Sequence, residues 1–146
     1  MTRIESSVIV SAPVAEVFAY ASDWRRWHEW FVGLSGTRPI TGVTRGSGAQ
    51  YAYKVRLMCF SAGVVTEIAD FVENVGWRGI GRKGMPHFTF WRFEASGSQT
   101  RFTYALEYRV PVPLLGAWLD AALLKPQWVR IIDSSLANVR RHFEAT

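Results

Sequence analysis

Residues 4–31 read IESSVIVSAPVAEVFAYASDWRRWHEWF, and this stretch decides much of the fold. Its β-favouring start, residues 4–10, predicts a first strand. Ser11 is expected to cap the helix that follows, with Pro13 in its first turn, where a missing N–H costs nothing. Asp23 is expected to cap a second short helix. That helix carries three tryptophans, Trp24, Trp27 and Trp30.

Length and composition favour one domain with a full hydrophobic core. The chain has 146 residues, too few for two ordinary domains, so we expect a single domain over residues 1–146. Cys59 is the only cysteine, which excludes an intramolecular disulfide and fits a reducing cytoplasm. We see neither a leader pattern nor an apolar stretch approaching about 20 residues. We therefore expect a cytoplasmic protein without an integral membrane segment.

The charged residues do not indicate a nucleic-acid partner. The formal net charge is +5, but the Arg and Lys residues are scattered, with no block longer than a pair. We therefore expect no nucleic-acid binding.

The histidines do not indicate a metal site. His28, His87 and His142 are dispersed and offer no metal-ligand spacing. We therefore expect no metal and no cofactor.

The middle of the chain predicts an antiparallel meander followed by a long helix. Strand-like segments with short turns between them lie at residues 50–58, 61–71, 76–82, 87–95 and 100–110. Consecutive strands joined by short turns pair antiparallel. Beyond Pro126 an apolar stripe predicts a terminal helix of about 19 residues. The stripe consists of Trp128, Ile132, Leu136 (or Ser135), Val139 and Phe143.

This order of elements resembles the START/Bet v 1-like (SRPBCC) superfamily, and within it the polyketide cyclase/dehydrase-like proteins. The matching segments are residues 11–23 with Trp27 and Trp30, Gly48, the VTEI run at 65–68 and the GSQTRFTY hairpin at 97–104. The resemblance implies an α+β helix-grip fold. In that fold a curled antiparallel sheet of about six to seven strands surrounds a long C-terminal helix, and two short helices follow the first strand. It also implies a hydrophobic cavity between the sheet and that helix.

Simple dimensions support a cavity independently. Strands of about ten residues are roughly 33 Å long, whereas a helix is only about 10–12 Å across. One helix cannot cover the inner face of such a sheet. Side chains, sheet curvature or a ligand must fill the rest, and the sequence leaves these alternatives open.

Aromatic residues dominate the set predicted to face inward. The candidate ligand-binding residues are Trp27, Trp30, Tyr51, Tyr53, Trp77, Trp91, Phe93, Tyr104, Tyr108, Trp118 and Trp128. For each of them, core packing competes with ligand contact. Inward tyrosines need a hydroxyl partner, so they favour an amphipathic ligand unless their hydroxyls reach solvent at the sheet ends. Trp27 and Trp30 are expected to seal the cavity where the long helix begins.

His87 is the single candidate for catalysis, because an unperturbed imidazole titrates near neutral pH. The turn before it, residues 84–86, favours an exposed strand end instead. Gly79 and Gly81 alternate on one strand face, where they leave room for a ligand or, as we favour, allow the sheet to bend. Glu67 and Asp70 are expected on opposite faces of their strand, and a solvated position is favoured for these charges.

These observations support three hypotheses for function. The leading one is binding of a small hydrophobic ligand: a lipid, an isoprenoid or an aromatic polyketide-like molecule. The second is an enzyme similar to polyketide cyclases and aromatases. The third is an accessory protein that docks a partner through apolar surface, such as residues 113–124. For that segment we favour a helix start that packs on residues 24–30 and also forms a gate to the cavity. A homodimer stays an open alternative.

Overall fold

The computed structural model describes residues 1–57, 60–110 and 120–144. The elements within these ranges are β1 (Thr2–Val10), α1 (Val14–Ser22), a 3-10 turn (Trp24–Arg26), α2 (Trp27–Trp30), β2 (Leu34–Pro39), β3 (Gln50–Leu57), β4 (Phe60–Val72), β5 (Gly76–Lys83), β6 (His87–Ser96), β7 (Gln99–Tyr108), a π-helical turn (Asp120–Leu124) and α3 (Lys125–Glu144). The predicted order of one strand, two short helices, a run of strands and a long helix is confirmed.

The seven described strands form one antiparallel sheet in the order β1-β7-β6-β5-β4-β3-β2. Helices α1 and α2 carry the chain from β1, at one edge, to β2, at the other. Each later strand pairs with the one before it, and β7 finally pairs with β1. The sheet curls around α3, which is the helix-grip fold that the sequence predicted.

The start of the first helix differs from the prediction in one detail. Helix α1 begins at Val14, with Pro13 as its N-cap and no side-chain cap. Ser11 instead accepts a hydrogen bond from a side chain of β7. The predicted cap of the second segment is confirmed, because Asp23 Oδ1 accepts the backbone N–H of Arg25 at 3.1 Å.

A bulge in β4 determines where its carboxylates point. Thr66 is buried, so its face of the strand points inward and the neighbouring Glu67 points outward, where it pairs with Arg82 at 3.0 Å. The register then shifts at Asp70, whose φ is +53°. Such a bulge reverses the alternation of faces. Asp70 therefore points outward as Glu67 does and is exposed, whereas Glu67 is partly exposed. The favoured solvated position is confirmed, and the expectation of opposite faces is wrong.

Helix α3 is fixed to β1 on one side and to α2 on the other. Asp133 accepts a hydrogen bond from Ser6 in β1 at 2.7 Å, and Asn138 donates to the backbone carbonyl of Trp30 at 3.1 Å. Trp30 therefore lies against the later half of α3, and its predicted place at the start of that helix is wrong. The buried residues of α3 are Trp128, Ile131, Ile132, Ser135, Leu136 and Val139. None of the described helices is long and apolar enough to cross a membrane.

Stacked aromatic rings fill one part of the interior. Phe18 of α1 is fully buried and meets Trp77 and Phe93 edge-on, at centroid distances of 5.6 and 5.1 Å. Phe93 stacks on Phe102 at 4.5 Å, and Trp30 covers Phe102 at 6.0 Å. We call this cluster of Phe18, Trp30, Phe93 and Phe102 the packed half of the interior.

Candidate functional site

A cavity of about 630 Å³ occupies the rest of the interior, between the inner face of the sheet and the start of α3. Its apolar lining consists of Trp27, Phe31, Leu34, Val55, Leu57, Ala62, Val64, Ile68, Trp77, Met85, Pro86, Trp91, Leu106, Val110, Leu124 and Trp128. Gly84 also borders it. Its polar lining is Tyr53, Thr66, His87, Thr89 and Tyr104. Because Gly84 and Pro86 are exposed and also border the cavity, it reaches the surface at this turn.

The structure brings seven of the candidate residues from the sequence to this cavity. They are Trp27, Tyr53, Trp77, His87, Trp91, Tyr104 and Trp128. Four others are not among the lining residues: Trp30, Tyr51, Phe93 and Tyr108. Trp118 lies outside the described residues, as does most of the gate segment, of which Leu124 borders the cavity.

Each of the four remaining candidates has a packing or hydrogen-bonding partner in the protein. Trp30 and Phe93 belong to the packed half. The Tyr51 hydroxyl donates to the backbone carbonyl of Thr44 at 2.7 Å. The Tyr108 hydroxyl donates to the buried carboxylate of Asp120, which also accepts a hydrogen bond from the side chain of Thr2. These tyrosines therefore join parts of the fold and do not face the cavity.

The polar lining contains a continuous hydrogen-bonded row. His87 Nδ1 lies 2.7 Å from the backbone carbonyl oxygen of Met85, and Nε2 lies 3.1 Å from Thr66 Oγ1. Thr66 Oγ1 in turn lies 2.9 Å from the hydroxyl of Tyr53. We call His87, Thr66 and Tyr53 the polar row. His87 is only 7% exposed, so the expectation of an exposed strand end is wrong.

Two glycines of β5 make room for these polar side chains. A Cβ at Gly81 would lie 2.5 Å from His87 Nδ1, and a Cβ at Gly79 would lie 2.2 Å from Thr89 Oγ1. Both distances are too short for real Cβ atoms. The space that the glycines leave is thus occupied by His87 and Thr89, so the alternative that it holds a ligand is wrong, and the bend that we favoured stays a prediction.

Burial keeps the titratable groups of the lining uncharged near neutral pH. It lowers the pKa of His87 below its ordinary value, and the hydrogen bond to Met85 opposes this shift only in part. Desolvation raises the pKa of Tyr53, and it raises the pKa of Tyr104 well above its ordinary value. A neutral imidazole can accept a proton, so the row has the chemistry of a weak general base.

Charged and metal-binding groups are missing from the described part of this site. The described lining contains no Asp, Glu, Lys or Arg. No group of three His, Cys, Asp or Glu side chains among the described residues could hold a metal ion. The arrangement therefore favours an uncharged organic molecule as its occupant.

Sequence reasoning missed Thr66 and Thr89 as lining residues. Thr89 shares the inward face of β6 with Trp91, whose indole N–H donates to Thr89 Oγ1 at 3.1 Å. The alternation of faces along β6 could have identified Thr89. The sequence of β4 did not show which face Thr66 occupies, because the order of its apolar residues fits both phases.

Comparisons with known proteins agree with this architecture. The sequence matches the family of polyketide cyclases/dehydrases and lipid transport proteins over residues 1–144. The chain is similar in structure to the protein TTHA0849 from Thermus thermophilus (TM-score 0.85, 16% identity, 99% of this chain and 98% of that chain covered). It is also similar to a START superfamily protein from Mycobacterium smegmatis (TM-score 0.76, 18% identity, 96% and 97% covered). No curated protein matches the sequence.

At these identities the two structures support the fold alone, whereas the family match spans nearly the whole sequence. The predicted superfamily is thereby confirmed. The chain belongs to the polyketide cyclase/dehydrase and lipid transport family.

Proposed function

We propose that this protein binds a small, uncharged, mainly hydrophobic ligand in the cavity beside α3. The observation that carries the proposal is the cavity itself. Its volume of about 630 Å³ and its apolar lining with a few convergent polar groups are typical of small-molecule sites. A lipid, an isoprenoid or an aromatic polyketide-like molecule would suit this lining.

The lining favours a ligand with at least one flat ring. Trp27, Trp91 and Trp77 form a continuous wall, with centroid distances of 5.9 Å between the first two and 4.5 Å between the last two. Trp128 adds an indole from α3. Burial of apolar ligand surface contributes about 25 cal/mol per Å², and aromatic contacts add about 0.5–1.5 kcal/mol each.

A second candidate function is catalysis similar to that of polyketide cyclases and aromatases. The polar row supports it, because neutral His87 lies in the cavity wall and its Nε2 could take a proton that Tyr53 and Thr66 relay from a bound molecule. Binding without chemistry is the better supported function. No carboxylate is present in the described lining to assist His87 or to stabilise the imidazolium that would form.

Cavity filling provides a direct test of ligand binding. Ala62 borders the cavity, whereas its neighbour Ser61 is exposed on the opposite face of β4. We expect Ala62→Trp to weaken binding of the neutral fluorescent probe N-phenyl-1-naphthylamine at least about tenfold, a loss of about 1.4 kcal/mol. Ser61→Trp, the matched control, should bind the probe like the unmodified protein.

Native mass spectrometry of the protein from its own host should also show a co-purified hydrophobic molecule. A protein that is always empty, or an Ala62→Trp variant that binds the probe as tightly as Ser61→Trp, would contradict ligand binding in this cavity.

A further inference from the structure

One backbone carbonyl fixes the direction of every hydrogen bond in the polar row. The Met85 carbonyl can only accept, so His87 Nδ1, 2.7 Å away, carries a proton and donates it. In a neutral imidazole Nε2 is then an acceptor, which requires the hydroxyl of Thr66 to donate to it. With its proton used, Thr66 Oγ1 accepts from Tyr53, whose hydroxyl lies 2.9 Å away.

The reversed direction is chemically unfavourable. It would place an unprotonated Nδ1 against the Met85 carbonyl oxygen, so that two lone pairs would face each other at 2.7 Å. A doubly protonated imidazole would satisfy Met85, but it would be a buried cation with no carboxylate beside it in the described lining.

Consequently Tyr53 can offer only an acceptor to the cavity. Its proton is committed to Thr66, and its remaining lone pair is free. Tyr104 is different: among the described residues, no partner lies within hydrogen-bonding distance of its hydroxyl, which therefore can donate into the cavity. Trp91 lies against Tyr104 at 5.1 Å, and Trp27 lies 6.4 Å from Tyr53 and 5.9 Å from Trp91. Both tyrosine rings thus border the same indole wall.

Two segments next to lining residues in the sequence also lack charged side chains. Residues 58–59 and 111–119, which adjoin the lining residues Leu57 and Val110 in sequence, contain no Asp, Glu, Lys or Arg. An ionised carboxylate or ammonium group on a ligand would therefore be buried without a countercharge from the described lining or from these segments, at a large cost in free energy.

We propose that the cavity selects an uncharged ligand that bears a hydroxyl group, which donates its proton to Tyr53, while Tyr104 donates to a ligand oxygen. This inference rests on the proposed function, because it names the polar end of the molecule that the cavity would bind. Thr66 is a positioning residue here: it holds the Tyr53 proton and so makes Tyr53 an acceptor.

Four naphthalene probes of similar shape test this selection by isothermal titration calorimetry. They are naphthalene, 2-naphthol, 2-methoxynaphthalene and 2-naphthoate. We expect 2-naphthol to bind about fivefold more tightly than its methyl ether, because the ether cannot donate to Tyr53. We expect 2-naphthoate to bind at least about tenfold more weakly than 2-naphthol, because its charge has no partner.

Variants then assign the preference to individual residues. Tyr53→Phe should remove the preference for 2-naphthol over the ether, and the matched control Tyr51→Phe, outside the cavity, should keep it. Thr66→Val retains the shape of Thr66 but frees the Tyr53 proton. It should therefore reduce the preference by strengthening binding of the ether, an effect that a merely structural role would not produce.

The outcomes separate the two proposals. If naphthalene and the other probes all bind with equal affinity, or if 2-naphthoate binds best, the selection of a neutral hydroxyl is overturned while ligand binding stands. If none of the four probes binds, both proposals are overturned.

Discussion

The packed half and the cavity share one sheet, yet they are covered differently. In the packed half, Phe18 of α1 and Trp30 of α2 reach the sheet and meet Phe93 and Phe102 at ring distances of 5.1 to 6.0 Å. Over the cavity, equally inward side chains such as Tyr53 and Tyr104 belong to the lining. The sheet is thus packed where side chains of the covering helices reach it. Inward-facing side chains occur in both regions, so their direction alone does not distinguish the packed half from the cavity.

The polar groups follow the same division. The polar row and Thr89 line the cavity, whereas the packed half consists of aromatic rings whose one polar side-chain atom, the indole nitrogen of Trp30, has no hydrogen-bond partner among the described residues. A polar group that faces a cavity can find a partner in a ligand or water, which a packed core does not supply. We therefore expect the packed half to contribute more to stability, and the cavity is the candidate binding site.

The largest expected effect comes from removing one phenyl ring in each half. Phe18→Ala deletes a fully buried ring that touches Phe71, Trp77 and Phe93, so it should destabilise the protein by about 4 kcal/mol. Phe31→Ala deletes the same ring at the cavity wall. There the loss of packing is smaller, and we expect a cost at least about 1 kcal/mol lower.

Urea denaturation of both variants, compared with the unmodified protein, measures these costs as free energies of unfolding. Equal costs, or a larger cost for Phe31→Ala, would show that the cavity wall is as tightly packed as the aromatic cluster, which would contradict the difference between the two halves.

A smaller effect is expected where a glycine supports the polar lining. Gly79→Ala places a methyl group 2.2 Å from Thr89 Oγ1 and 2.9 Å from Thr66 Cγ2, so we expect a loss of about 1–3 kcal/mol. Gly63→Ala in β4 meets no atom within 4 Å and should change stability by no more than about 0.5 kcal/mol. Thermal unfolding of the two variants measures the difference in stability. If Gly79→Ala were as stable as the unmodified protein, Thr89 and Thr66 would be able to shift at little cost in free energy.

Local patterns in the sequence predicted part of this site well. Strict alternation in β3 and β7 placed Tyr53 and Tyr104 on the inner face, and the helical stripe placed Trp128 toward it. These predictions need only the period of a strand or a helix. The fold was predictable for the same reason, since most of its elements carry their own local signal.

The part of the site that the sequence did not predict depends on contacts between neighbouring strands of the sheet. The inward orientation of Thr66 is evident only in the register of β4 with β5, because a bulge at Asp70 reverses the faces of β4 and makes its sequence pattern fit both phases. The burial of His87 requires the absence of a side chain at Gly81 on the next strand. A single sequence does not record such cross-strand pairs, so His87 was expected to be exposed.

The smallest expected effect concerns pH and again separates the polar row from the surface. Burial lowers the pKa of His87 in the folded protein below the unfolded value of about 6.5, so the unfolded chain takes up a proton first as the pH falls. His87 thus contributes stability that is fully present above about pH 7 and is lost as the pH falls toward the folded pKa. The other titratable groups of the described lining, Tyr53 and Tyr104, have raised pKa values and stay protonated throughout.

Replacing His87 should therefore flatten the stability profile on the acidic side. As the pH is lowered from about 7.5 to about 5, the unfolding temperature of the unmodified protein should fall. We expect the unfolding temperature of His87→Gln to fall less over the same range. His28→Gln, a change at an exposed histidine of α2, is the control for loss of a histidine outside the cavity. A His87→Gln profile parallel to that of His28→Gln would mean that His87 is protonated equally easily in both states, which conflicts with its burial in the cavity wall.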